Sequence, residues 1–161
     1  MAAIKHALDK ILAALCIGLF GFLVLLVTWQ VVTRFVFNDP SVISEELAKY
    51  CFVWLVLFGA AYVFGEKGHM AIEFVKDRLP GNLRRGAEVL IEITVIVFSA
   101  LVLVIGGYKA TALAWTQLSA ALQIPVGYLY AAIPASGIFI IFYCIYNVVQ
   151  IVTAKKSTVE L

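Results

Sequence analysis

The sequence predicts an all-α integral membrane protein: four transmembrane helices, with a short amphipathic helix lying in the interface between spans two and three. Three observations predict this. First, 63% of the 161 residues are hydrophobic and only 14% are charged, against roughly 25% charged in a soluble domain. The mean hydropathy of +1.01 leaves far more apolar surface than a water-soluble fold of this length could hide. Second, the apolar runs are continuous, without the alternation of a membrane β-strand. Third, four of these runs reach the ~20 residues that cross ~30 Å of hydrocarbon. No internal repeat or low-complexity segment divides the chain, which reads as a single membrane domain.

The first run is 11–33. It is too long for the roughly 7–15 apolar residues of a cleavable signal and lacks a clear small-residue cleavage site, so it is expected to stay as an anchor. The second run is 47–65, the third 87–118, and the fourth 128–152. Between runs two and three, "MAIEFVKDRLP" places Ile72, Val75 and Leu79 on one helical face, beside Phe74, with Glu73, Lys76 and Asp77 opposite. This pattern predicts the interfacial helix, over about 70–79, ended by Pro80-Gly81. It could serve as an anchor or be a plain amphipathic connector.

Basic residues set the orientation. Lys5 and Lys10, then Lys67, Lys76, Arg78, Arg84 and Arg85, then Lys155 and Lys156 fall on one side. Only Arg34, Lys49 and Lys109 fall on the other. Both termini and the basic middle loop are therefore expected in the cytoplasm, with the connections near 34–46 and 119–127 facing outward.

The mouth of span two carries the densest charge outside the middle loop. In "FNDPSVISEELAKY", Asp39-Pro40 resembles a helix cap followed by proline at the first helical position. Glu45 and Lys49 form an i,i+4 pair in the favourable order. Glu46 points about 100° away from Glu45, and Arg34 at the end of span one is its nearest candidate partner. These four residues either form a polar cluster at the outer rim or are a solvated helix start. Deeper, Glu88 and Glu92 lie one turn apart on span three, and Glu92 either joins a proton or ion pathway or is an interfacial carboxylate facing a partner helix or a basic residue.

Other chemistry is sparse. The net charge of +2, with no basic, aromatic-interleaved patch, gives no reason to expect nucleic acid. Cys16, Cys51 and Cys144 each sit in an apolar run with no C-x-x-C, so they read as small buried hydrophobes. His6 and His69 are far apart and outside the hydrocarbon, a poor basis for haem or metal ligation. No cofactor is expected in this chain. Small residues at Ala14 and Gly18, Ala61 and Gly65, Gly106, Gly107 and Ala110, and Ser136 and Gly137 could admit close helix packing.

Taken together, the stretch from Trp29 to Pro80 resembles the small membrane subunit of the tripartite ATP-independent periplasmic (TRAP) transporters, the DctQ-like family. The resemblance rests on Trp29, on Arg34 in Arg-Phe-Val-Phe, and on Pro40. It continues through Ser44-Glu45-Glu46-Leu47-Ala48, Trp54, Gly59-Ala60-Ala61, and Gly68-His69 with Ile72, and is extended by "LQIPVGYLYAAIPASG". Val42-Ile43 stand where family members often carry tryptophan before Ser-Glu-Glu. The resemblance implies a non-catalytic subunit in the bacterial inner membrane. It would brace a large multi-span membrane subunit that holds the substrate and Na⁺ sites, and help dock a soluble periplasmic substrate-binding protein. The cargo would be an organic acid such as a C4-dicarboxylate or a sialic acid. Two other readings are a self-sufficient four-span, proton-coupled carrier using Glu92, and a quinone-linked membrane redox enzyme, against which the lack of paired cysteines and intramembrane histidine pairs argues.

Overall fold

The computed structural model describes residues 2–66 and 81–157. They form an antiparallel helical bundle: α1 (Ala2–Phe35), α2 (Val42–Gly65), α3 (Gly81–Phe98), a π-helical segment (Ser99–Gly106), α4 (Gly107–Ala114), α5 (Gly127–Tyr130) and α6 (Ala132–Ser157). α3, the π segment and α4 run on as one rod, and α5 leads almost directly into α6. Four stretches are long and apolar enough to cross a membrane: Ala3–Phe35, Val42–Gly65, Gly86–Ala114 and Gly127–Ile151. The chain is thus an all-α membrane protein. The expected interfacial helix, with Ile72, Phe74, Val75, Leu79 and the basic Arg78, lies outside the described residues. Arg84 and Arg85 fall on the backbone of α3, and their side chains are outside what is described.

Without water, the backbone must satisfy itself, and helices do so within each segment. Hydroxyls inside the spans follow suit: Thr28, Thr94 and Thr111 each donate to the carbonyl four residues back, at 2.7–2.8 Å. Pro134 is tolerated because it sits in the first turn of α6, where a missing N–H costs nothing.

Two features differ from the sequence reading. The cap of α2 is Ser41 rather than Asp39. Ser41 is extended (φ −77°, ψ 99°) and its hydroxyl accepts from the Ser44 amide, while the Asp39 N–H is drawn back to the Thr33 carbonyl at 3.1 Å. The third run contains the π-helical turn, which the largely apolar "SALVLVIG" does not announce.

The core lies where α2 and α6 meet. Leu12 of α1, Phe58 of α2 and Tyr143 of α6 form one buried cluster, and Ala61, Ile140 and Cys144 form another. Phe139 packs against both, and Phe58 stands edge-on to it at 5.7 Å and to Trp54 at 5.1 Å. Two glycines let backbones approach closely: a Cβ on Gly65 would stand 2.6 Å from the Tyr143 ring, and one on Gly137 would stand 2.7 Å from Leu103 Cβ in the π segment. Gly18, by contrast, faces open space.

Candidate functional site

One end of the bundle holds both tight connections, 36–41 and 115–126. In the first, Asn38 takes a left-handed conformation (φ 52°), which asparagine tolerates better than most residues. This reverses the chain between α1 and α2. The second folds back on itself like a miniature hairpin. Leu118 bridges Pro125, the Ser119 amide donates to the Ile124 carbonyl at 2.9 Å, and the Val126 amide donates to the Gln117 carbonyl at 2.8 Å. Gln123 turns the tip with φ 54°, and its side-chain amide donates to the Ala120 carbonyl at 2.9 Å.

The tip of this loop presents its backbone N–H groups to α2. Glu46 Oε2 accepts from the amides of Ala121 at 2.7 Å and Leu122 at 2.8 Å. Both are short, charge-assisted bonds. They tie the first turn of α2 to a loop 75 residues later in the chain. Two turns further along α2, the Trp54 indole N–H donates to the Tyr128 carbonyl at 3.1 Å, and Trp115 stacks at a tilt on Tyr128 with centroids 5.0 Å apart. The α2 face carrying Glu46 and Trp54 is therefore fastened at two levels, to the loop tip and to α5. Between them, the Tyr50 hydroxyl is buried with no hydrogen-bond partner among the described residues.

Within the expected four-residue cluster, Glu45 and Lys49 pair at 2.8 Å on the exposed face, and Arg34 is near enough to Glu45 to favour its charged form. Glu46 turns to the loop amides rather than to Arg34, because Glu45 and Glu46 point to different sides of the helix and the loop tip lies on Glu46's side. The Arg34 guanidinium lies 5.9 Å from the Phe35 ring centroid.

Two further polar ties were not singled out as pairs in the sequence. At the opposite end, Lys5 bonds Asp9 at 2.7 Å, the Tyr143 hydroxyl donates to Asp9 Oδ1 at 2.7 Å, and Lys5 also approaches Glu66 at 3.9 Å. Within the bundle, Asn147 Nδ2 donates to Glu92 Oε1 at 3.1 Å. An intramembrane carboxylate with a named partner on a neighbouring helix is the usual way such a group is accommodated. The three cysteines are free thiols. Among the described residues, no three His, Cys, Asp or Glu side chains come together as a metal site.

The family model "Tripartite ATP-independent periplasmic transporters, DctQ component" matches residues 23–154. The chain belongs to this DctQ family. Among its curated relatives is the sialic acid TRAP transporter small permease protein SiaQ of Vibrio cholerae, 29% identical over 161 residues, covering 98% of this chain and 92% of the relative. A second match is to the sialic acid TRAP transporter permease protein SiaT of Haemophilus influenzae, 31% identical over 83 residues. That alignment takes in 52% of this DctQ chain but only 13% of the permease protein. The Glu46 tie lies inside the family-matched region at both its ends, since Glu46 and Ala121-Leu122 all fall between residues 23 and 154.

Proposed function

We propose that this DctQ chain is the small membrane subunit of a secondary transporter fed by a soluble binding protein. It braces a large multi-span permease and offers part of the surface on which the periplasmic protein docks. The cargo is an organic acid of the sialic acid type, and the coupling Na⁺ is held by the large subunit. The observation that carries this reading is the pair of alignments. The chain matches a small permease protein along nearly its whole length, and half of it also matches a stretch making up 13% of a permease protein. A segment found both as a separate chain and within a larger permease is expected to work beside that permease.

The geometry supports a bracing role. The intramembrane carboxylate Glu92 is tied to Asn147 of a neighbouring helix. The loop at 115–126 is held to α2 by Glu46 and so presents a fixed surface. In this reading that end faces the periplasm, and the termini face the cytoplasm, as the distribution of Lys and Arg favours.

Co-purification tests the assignment. A tag on this chain recovers a large hydrophobic permease from the native membrane in near-equal amount, and recovery of this chain alone refutes the bracing role. The carrier reading that uses Glu92 is tested separately. In the assembled transporter, Glu92→Gln leaves uptake near the wild-type rate and pH profile, because the amide still accepts from Asn147. Abolished uptake with the complex intact would favour the carrier.

A further inference from the structure

A groove of about 310 Å³ runs between α1 and α2 at the same end as the Glu46 tie. Leu23 and Val27 of α1 and Ala48 and Phe52 of α2 line its apolar part, while Gln30, Glu45 and Lys49 line its polar part. Polarity changes along its length. Leu23 and Gln30 are seven residues apart on one helical face, as are Phe52 and Glu45, so the change from hydrocarbon to charge takes roughly 10 Å at 1.5 Å per residue. The bilayer has the same gradient between acyl chain and headgroup. Val27 is 45% exposed and Phe52 55% exposed, so the groove opens sideways onto surface that lipid covers.

Two features identify an occupant. The Gln30 side-chain nitrogen is buried and has no acceptor among the described residues, and a buried amide donor without a partner is costly. Beside it, Glu45 and Lys49 set one negative and one positive charge 2.8 Å apart on the rim, each side chain more than half exposed. A phosphate oxygen placed there would accept from Gln30 Nε2 and from the Lys49 ammonium. A primary ammonium two carbons away would donate to Glu45. An anionic headgroup satisfies Lys49 but leaves Glu45 facing phosphate, and a quaternary ammonium cannot donate a hydrogen bond to the carboxylate.

We propose that the α1–α2 groove binds a phosphoethanolamine lipid, with the first part of one acyl chain along Leu23, Val27 and Phe52 and the headgroup on Gln30, Glu45 and Lys49. The inference stands apart from the transport assignment, since a lipid can be retained whether or not the chain braces a permease.

Native mass spectrometry of the full-length chain in detergent tests it, by titration with dioleoylphosphatidylethanolamine or dioleoylphosphatidylglycerol. The wild type retains one phosphatidylethanolamine and holds it roughly tenfold better than phosphatidylglycerol, about the effect of one charge-assisted bond. Val27→Trp fills the groove from an exposed position and lowers retention by a similar factor. Gln30→Leu removes the donor without adding bulk, lowers retention too, and serves if the tryptophan variant fails to fold. Equal retention of the two lipids overturns the headgroup assignment. Retention unchanged by a folded variant, or no retained lipid in the wild type, overturns the site, the latter being the outcome if the groove is shaped for a protein partner's side chains instead.

Discussion

α1 and α6 are both long apolar helices, yet they live in different surroundings. In α1 only 6% of the most apolar window is buried within the protein, against 39% in the span that contains α6. α6 packs on α2, α3 and the π segment, and its Gly137 lies directly against Leu103 of the π segment. α1 touches chiefly α2 and turns the rest of its surface outward, including Phe20, Leu25 and Trp29. Hydropathy is the same kind of signal in both helices, but it measures only exclusion from water. Where the solvent is lipid, an apolar side chain gains little by leaving it for protein, and what holds helices together is close fit and polar ties. α6 is therefore a structural core, and α1 is a surface available to lipid or to a partner subunit.

Matched substitutions on the two helices sharpen this contrast. The largest effect is expected at Tyr143, fully buried on α6, where replacement by alanine removes a ring from the core and a donor from Asp9. Tyr143→Ala should cost about 3–5 kcal/mol, read as a marked fall in the thermal midpoint of the detergent-solubilised protein. Its counterpart Phe20→Ala on α1 should shift stability by no more than about 0.5 kcal/mol. Next comes overpacking: Gly137→Leu should destabilise by about 1–3 kcal/mol, because its first side-chain carbon already meets Leu103, whereas Gly18→Leu has open space and should change the midpoint little. Equal effects within either pair would break the comparison.

Of the disruptive changes, Glu46→Gln is expected to have the smallest global effect, because it alters a single tie at the rim. Its signature is local: the amides of Ala121 and Leu122 should exchange hydrogen severalfold faster while core amides of α6 stay protected. Unchanged exchange at both would mean that the loop holds its shape without the carboxylate.

Much of this architecture is legible in the sequence, because the length of an apolar run is itself the physical requirement for a span. The family resemblance is legible for the same reason that the Glu46 region is informative: charges at a helix mouth are few and their order stands out. Other features carry no such signal. Ser41 and Asp39 are both good capping residues on either side of Pro40, and only the backbone path decides between them. The π turn sits in "SALVLVIG", whose largely apolar composition is that of an ordinary membrane helix. The partners of Glu46 are main-chain amides, which every residue carries, so nothing in Ala121 or Leu122 marks them. A search among side chains leads to Arg34 instead. Tyr143 and Asp9 are separated by 134 residues, and neither marks the other.

In the proposed division of labour, this chain shapes and holds, and a separate permease moves the solute. Reconstitution into liposomes measures that directly. With a sodium gradient and the soluble binding protein loaded with labelled organic acid, vesicles holding this chain and its large permease should accumulate the label, while vesicles holding this chain alone should match empty ones. Accumulation by this chain alone would contradict the account.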